Sequence, residues 1–190
     1  MVTDKKTHIK KVPGRIAFVG HVLKSKGVFE LIESCCQIGS PDLHIIGKIL
    51  PSDKQKIDEL LSKKNTDGKW ISWLGEIPHN KVIEELLEAE IFAFPSYSEG
   101  FPNVILEAMV CGCAIVSTTV GAIPEMLDIT GEACGICVEP QNVNAFYKAL
   151  QTVYCNRTLI KSYSTAAEIR VKNNYAINII WSQMKQIWES

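Results

Sequence analysis

From Arg15 to Glu139 the sequence alternates between short apolar runs and longer segments with helical spacing. The runs are RIAFVG (15–20), LHIIG (43–47), ISWLG (71–75), IFAFPS (91–96), AIVST (114–118) and GICVE (135–139). They are continuously apolar, as strands covered on both faces are. The segments between them read as helices: VFELIESCCQI (28–38), DKQKIDELLSKK (53–64), NKVIEELLEAE (80–90), PNVILEAMVCG (102–112) and IPEMLDI (123–129). Ser52 and Asn80 are candidate N-caps for two of these helices. Beyond Asn142 the pattern is helical throughout. This rhythm predicts an α/β fold, with a doubly wound, Rossmann-like, six-stranded parallel sheet and C-terminal helices.

The domain layout follows. Residues 1–14, polar and basic and ending in Pro13-Gly14, read as a leader or linker. Residues 15–156 read as the Rossmann-like unit, and 157–190 as helices packing on it or on another domain. The stretch YAINIIWSQMKQIWES (175–190) places Ile179, Trp181, Met184 and Trp188 among polar residues, so it needs a surface to cover. A net charge of −1 gives no electrostatic case for nucleic acid or an anionic membrane. No apolar run reaches the roughly 20 residues of a membrane helix, and MVTDKKTHIKK lacks the apolar core of a signal peptide. The expected location is the cytoplasm. The seven cysteines include a Cys134-x-x-Cys137 pair. No second pair with zinc spacing accompanies it, and Cys113 and Cys137 sit in apolar runs, so they read as buried small residues. No metal site is expected.

Ligands of open parallel sheets bind beyond the carboxyl ends of the strands. The turns there are GHVLKSKG (20–27), GKILPSD (47–53), GEIPHN (75–80), SYSEGFPN (96–103) and TTVGAIPE (118–125). The fourth is the most pointed. Gly100 permits close backbone approach, Pro102 starts a helix, and the helix N-terminus suits an anion, phosphate above all. Glu107 lies one helical turn past Asn103 on the same face. Its carboxylate can accept two hydrogen bonds at once, as the vicinal hydroxyls of a ribose offer, and its apolar neighbours predict burial with a partner. Glu99 can accept from a sugar hydroxyl. The first turn supplies Lys24 and Lys26, with His21 near by. A diphosphate between turns one and four would meet ammonium groups and helix N–H groups together. No GxGxxG or GxxxxGK[ST] is present. His21, His44 and His79, taken singly, read as structural or surface residues.

The stretch FPSYSEGFPNVILEAMVCGCAIVSTTVGAIPEML resembles the donor-binding domain of GT-B glycosyltransferases, specifically the retaining family 4 or group 1 enzymes. The shared features are Glu99 and Glu107 separated by seven residues, Ala108-Met109, Cys111-Gly112, and the turn from Gly121 to Glu125. FVGHVLKSKGVFELIE and GEACGICVEPQNVNAFYKAL resemble the family's opening and closing motifs, so the likeness runs over about residues 15–185.

The resemblance implies roles. Glu107 would hold the ribose hydroxyls and Glu99 would contact the transferred sugar. Gly100, Phe101, Pro102, Asn103 and Val104 would line the sugar and diphosphate, with backbone N–H groups assisting. Lys26 would neutralise the diphosphate, with His21 beside it. Gly47 and the pair Gly75 and Glu76 would flank the base. Glu99 and Lys26 are the implied catalytic residues. The implied reaction is retaining hexosyl transfer from a nucleotide-diphosphate sugar, without a metal or other cofactor, to a glycan or lipid-linked acceptor at the inner membrane surface. Three positions depart from the pattern: His21 stands where Arg is common, Gly47-Lys48-Ile49-Leu50-Pro51 replaces Gly-x-Gly-Pro, and Ala114 stands where Pro is usual. Such enzymes pair this unit with an N-terminal acceptor-binding domain, to which the last helix crosses back. The chain therefore reads as one half of a GT-B fold, inactive alone. The alternatives are an epimerase-like GT-B domain, or a non-catalytic donor-binding module that pairs with a separate chain.

Overall fold

A computed structural model describes residues 9–129 and 131–176. Among the described residues there are six strands: β1 (Val12–Val19), β2 (Leu43–Ile46), β3 (Ile71–Gly75), β4 (Ala89–Phe94), β5 (Ala114–Thr118) and β6 (Gly135–Val138). Every pairing is parallel, in the order β3-β2-β1-β4-β5-β6. The intervening helices are α1 (Val28–Gln37), α2 (Pro51–Lys63), α3 (His79–Glu88), α4 (Asn103–Val110) and the short α5 (Ile123–Met126). After the sheet come α6 (Val143–Tyr154), α7 (Arg157–Arg170) and a π-helical turn, Val171–Tyr175. The expected doubly wound sheet is present.

Helix α1 packs on α6, and α3 packs on α4. With right-handed crossovers these pairs lie on opposite faces of the sheet. The strands are apolar because both faces are covered: every residue of β2 and β5 is buried. Phe18, Phe92 and Phe94 stack along the central strands, with centroids 6.0 and 5.8 Å apart.

Several boundaries differ from the sequence reading. Strand β1 begins at Val12, so the assigned leader ends before Pro13-Gly14 rather than after it. Val12 pairs with Ala89, and the register then shifts before Ile16 pairs with Ile91. That irregularity accommodates a proline in an interior strand. Helix α2 starts at Pro51, which takes the first-turn position itself and places Ser52 inside the helix. Helix α3 starts at His79, so Asn80 is not its cap. Pro95 and Ser96 leave β4 and belong to the following turn. The region 177–190, where an apolar helix is expected, lies outside the described residues.

Two partly buried polar arrangements hold the far end of the sheet. The Lys11 ammonium donates to the carbonyls of Ala89 (2.5 Å), Cys111 (2.8 Å) and Leu86 (3.1 Å), which ties the ends of α3 and α4 to β4. His44, nearly buried, faces Glu85 through Nδ1 at 2.6 Å and Asp42 through Nε2 at 3.2 Å. Asp42 and Glu88 in turn pair with Arg15. His44 is thus structural, as the sequence reading has it. The thiols of the Cys134-x-x-Cys137 pair are shielded as well. Cys134 is buried and Cys137 half-buried, and burial pushes their thiols up to about 11 and about 12.

At the carboxyl end of the sheet the turns after β1 and β4 touch. Gly27 has φ +69°, and a Cβ there would lie 2.0 Å from the Pro95 carbonyl oxygen. The Tyr97 amide donates to the Ser25 carbonyl at 2.9 Å.

Two outcomes follow from this packing. Gly27→Ala forces both a left-handed conformation and a collision with backbone, so it costs about 2 kcal/mol or more. Its melting temperature falls by about 4–8 °C for a domain of this size; an unchanged midpoint contradicts the contact. Iodoacetamide applied to the folded chain at mildly alkaline pH labels exposed Cys155 first and leaves Cys134 and Cys137 intact until denaturant is added, read by mass spectrometry.

Candidate functional site

Strands β1 and β4 are neighbours, but β1 leads through α1 to β2 on one side, and β4 leads through α4 to β5 on the other. The strand order reverses between them, and a crevice opens where their turns diverge. A cleft of about 390 Å³ occupies this place. Its floor is Val19 and Gly20; its walls are His21, Lys26, Phe94, Glu99, Pro102 and Val104. The volume falls in the range of small-ligand sites.

Lys26 ends a single 3-10 turn (Lys24–Lys26), and the left-handed Gly27 redirects the chain into α1. This aims the side chain across the crevice. The Lys26 ammonium lies 2.6 Å from Glu99 Oε1 and 5.9 Å from the centre of the Phe94 ring. The Ser96 hydroxyl donates to the same Glu99 oxygen at 2.6 Å. Lys26 and Glu99 are 29% and 13% exposed, so the pair is partly desolvated and open on one side. An ammonium has three protons to donate, so Lys26 can hold Glu99 and still meet an incoming anion.

The rest of the fourth turn is fixed from both flanks. Thr118 donates through Oγ1 to the Ser96 carbonyl at 2.5 Å, and the Ala122 amide donates to the Gly100 carbonyl at 2.9 Å. A Cβ on Gly121 would lie 2.2 Å from the Glu99 carbonyl oxygen, so the fifth turn rests directly on the fourth. Tyr97 donates through its phenol to Glu30 of α1; burial and that carboxylate together push the phenol well above its ordinary range. Pro102 is buried at the N-cap position, and α4 begins at Asn103, one residue later than the sequence reading has it. Of the first-turn N–H groups of α4, that of Ile105 donates to the Pro102 carbonyl at 3.0 Å, and those of Asn103 and Val104 have no acceptor within the helix.

The structure brings His21, Lys26, Glu99, Pro102 and Val104 into one cleft. Asn103 and Gly100 are exposed beside it. Phe101 is 52% exposed, with its ring 6.1 Å from that of Tyr175. Glu107 lines a separate cavity of about 220 Å³, with His79, Ile83, Leu106, Val110, Val171 and Tyr175. It is 30% exposed rather than fully buried, and His79 Nε2 lies 3.0 Å from its Oε1. The expected partner thus exists, and it is a residue that read as surface. Gly75 ends β3 with φ +64°, and its carbonyl accepts from the Gly47 amide at 2.8 Å. Gly47 in turn sits against the Gly20 carbonyl, leaving no room for a Cβ. Glu76 is exposed on the next turn. Turns one, two and three therefore form a continuous rim.

Two larger depressions lie elsewhere. One of about 750 Å³ is lined by α2 alone, the open side of a charged helix. The other, about 570 Å³, runs along α7 beside Asp128 and Glu132. Neither lies at the β1/β4 reversal. Among the described residues, no three His, Cys, Asp or Glu side chains gather as metal ligands.

The family model described as "Glycosyl transferases group 1" matches residues 13–156. A capsular polysaccharide biosynthesis glycosyltransferase, CapM, of Staphylococcus aureus is 26% identical over 183 residues, covering 92% of this chain and 46% of that protein. The chain spans less than half the length of curated relatives of this kind. Among solved structures, the C-terminal domain of a group 1 glycosyltransferase (LpcC) from Francisella tularensis is 27% identical. Its TM-score is 0.75, over 92% of this chain and 91% of that one. The Anabaena protein HepE, solved with UDP and glucose, is 17% identical with a TM-score of 0.78, over 93% of this chain and 48% of that one. The fold is thus one Rossmann-like half of the GT-B architecture. Since the matched span runs from the first strand to the end of α6, the chain belongs to the group 1 glycosyltransferases.

Proposed function

We propose that the β1/β4 crevice binds a nucleotide-diphosphate sugar, and that the chain is the donor-binding half of a retaining hexosyltransferase. The observation that carries this reading is the meeting of Lys26 and Glu99 across the reversal point, at the N-terminus of α4. Lys26 and the α4 N–H groups take the diphosphate. As the bond between sugar and phosphate breaks, negative charge grows on the leaving diphosphate, and these fixed positive groups stabilise it. Glu99, held by Ser96 and Lys26, accepts from a hydroxyl of the transferred sugar. Glu107 accepts from the ribose, and the rim at Gly47, Gly75 and Glu76 flanks the base. Lys26 and the helix dipoles supply the role that a metal fills elsewhere, so no metal or other cofactor is required.

The acceptor is a glycan or a lipid-linked saccharide, in keeping with the polysaccharide pathway of the CapM relative. It is met at the cytoplasmic face of the membrane. No helix among the described residues is long and apolar enough to cross one. An acceptor-binding domain forms the second wall of the crevice in a complete two-domain enzyme. These 190 residues alone bind donor without transferring sugar. Transfer is favoured over epimerisation because the curated relatives are transferases.

Thermal denaturation with millimolar UDP, GDP, ADP and CMP tests the site. One nucleotide stabilises the chain, by about 2.7 kcal/mol at 100 times its dissociation constant, and the melting point rises by about 5–10 °C. Lys26→Ala removes a charge-assisted contact and weakens binding by about tenfold or more. Absence of any shift, or full binding by Lys26→Ala, contradicts the reading. His21→Arg supplies a permanent, forked cation beside the diphosphate and tightens binding by about threefold, measured by calorimetry.

A further inference from the structure

Glu107 is the fifth residue of α4, and His79 is the first residue of α3. Their 3.0 Å contact crosses between two helices that the sequence separates by 28 positions. The other walls of the cavity beside them are Ile83, Leu106, Val110, Val171 and Tyr175. The aliphatic ones offer a carboxylate no hydrogen bond. A glutamate on such a wall has several rotamers, and fixing one costs side-chain entropy. His79 is 70% exposed and reaches over the edge of the cavity to the carboxylate. A carboxylate has about four acceptor positions. His79 takes one, which leaves enough for two vicinal hydroxyls.

We infer that His79 is a positioning residue for the nucleoside end of the donor site: it fixes Glu107 in the rotamer that accepts both ribose hydroxyls. This rests on the reading of Glu107 as the ribose acceptor. Among the described residues, the polar contact of the His79 ring is with this carboxylate. Its effect therefore falls on discrimination between ribose and deoxyribose rather than on the affinity for phosphate.

The test measures binding of the ribo- and 2′-deoxyribo- forms of whichever nucleoside diphosphate (UDP, GDP, ADP or CDP) binds the 190-residue chain. Calorimetry is run on the wild type, His79→Ala, His79→Gln and Glu107→Ala, with melting temperatures recorded for each. The wild type prefers the ribonucleotide by about tenfold, the scale of a hydrogen bond to a charged group. His79→Ala reduces that preference to about threefold or less at an unchanged melting temperature. His79→Gln places an amide donor near the position of Nε2 and restores the preference. A wild-type preference in His79→Ala overturns the inference. So does tighter ribonucleotide binding, because His79 would then compete with the ribose. Should Glu107→Ala itself keep the full preference, or should no nucleotide bind the wild type, the underlying site reading falls and the inference with it.

Discussion

Strand β1 is hydrogen-bonded to β2 on one side and to β4 on the other, and the ligand-facing edge depends on that placement. Because the chain leaves β1 and β4 in opposite directions, no crossover fills the space above their junction. Their turns can then approach until backbone meets backbone, as Gly27 does with Pro95. That approach sets the span across which Lys26 reaches Glu99. It also places the start of α4 against the same opening. A different neighbour for β1 would separate the cation, the carboxylate and the helix N-terminus.

The Lys26–Glu99 pair is informative through its environment. Two partly buried charges gain little net stability from each other once desolvation is counted. Here neither is fully enclosed, and Glu99 has a second donor in Ser96. The arrangement holds both side chains in place at the mouth of the cleft. It also keeps two ammonium protons of Lys26 available, so an arriving phosphate does not have to displace the carboxylate. The contacts of Thr118, Gly121 and Tyr97 serve the same end, because they fix the backbone that carries Glu99. Rigid support of this kind lets a loop present charge without reorganising when a ligand binds.

The strands and most helices were legible in the sequence because both-face burial leaves an uninterrupted apolar run, and six such runs separated by helical spacing admit few topologies. Lys26, Glu99 and the α4 start were legible for a related reason: in a parallel sheet the turns after the strands are brought to one edge. The misses have physical causes. Pro13-Gly14 reads as a breaker, but β1 extends past β2 there and pairs only with β4, through a register shift. Ser52 reads as a cap until Pro51 takes the first helical position. The pairs His79–Glu107 and Tyr97–Glu30 join elements far apart in sequence, and no local spacing marks them. A Glu amid apolar neighbours on α4 did signal that a partner was needed; the spatial neighbour of α4 decided which one.

In the proposed complex a nucleoside diphosphate lies across the β1/β4 reversal, with its phosphates at Lys26 and the first turn of α4. Titration of the isotope-labelled 190-residue chain with the bound nucleoside diphosphate, followed by amide chemical shifts in two-dimensional NMR, tests it most directly. The largest shifts are expected at Lys26, Gly27, Gly100, Phe101, Asn103 and Val104, with smaller ones at Glu107 and His79. Shifts confined to α2, or to the groove along α7 near Asp128 and Arg170, with those amides unmoved, would contradict it.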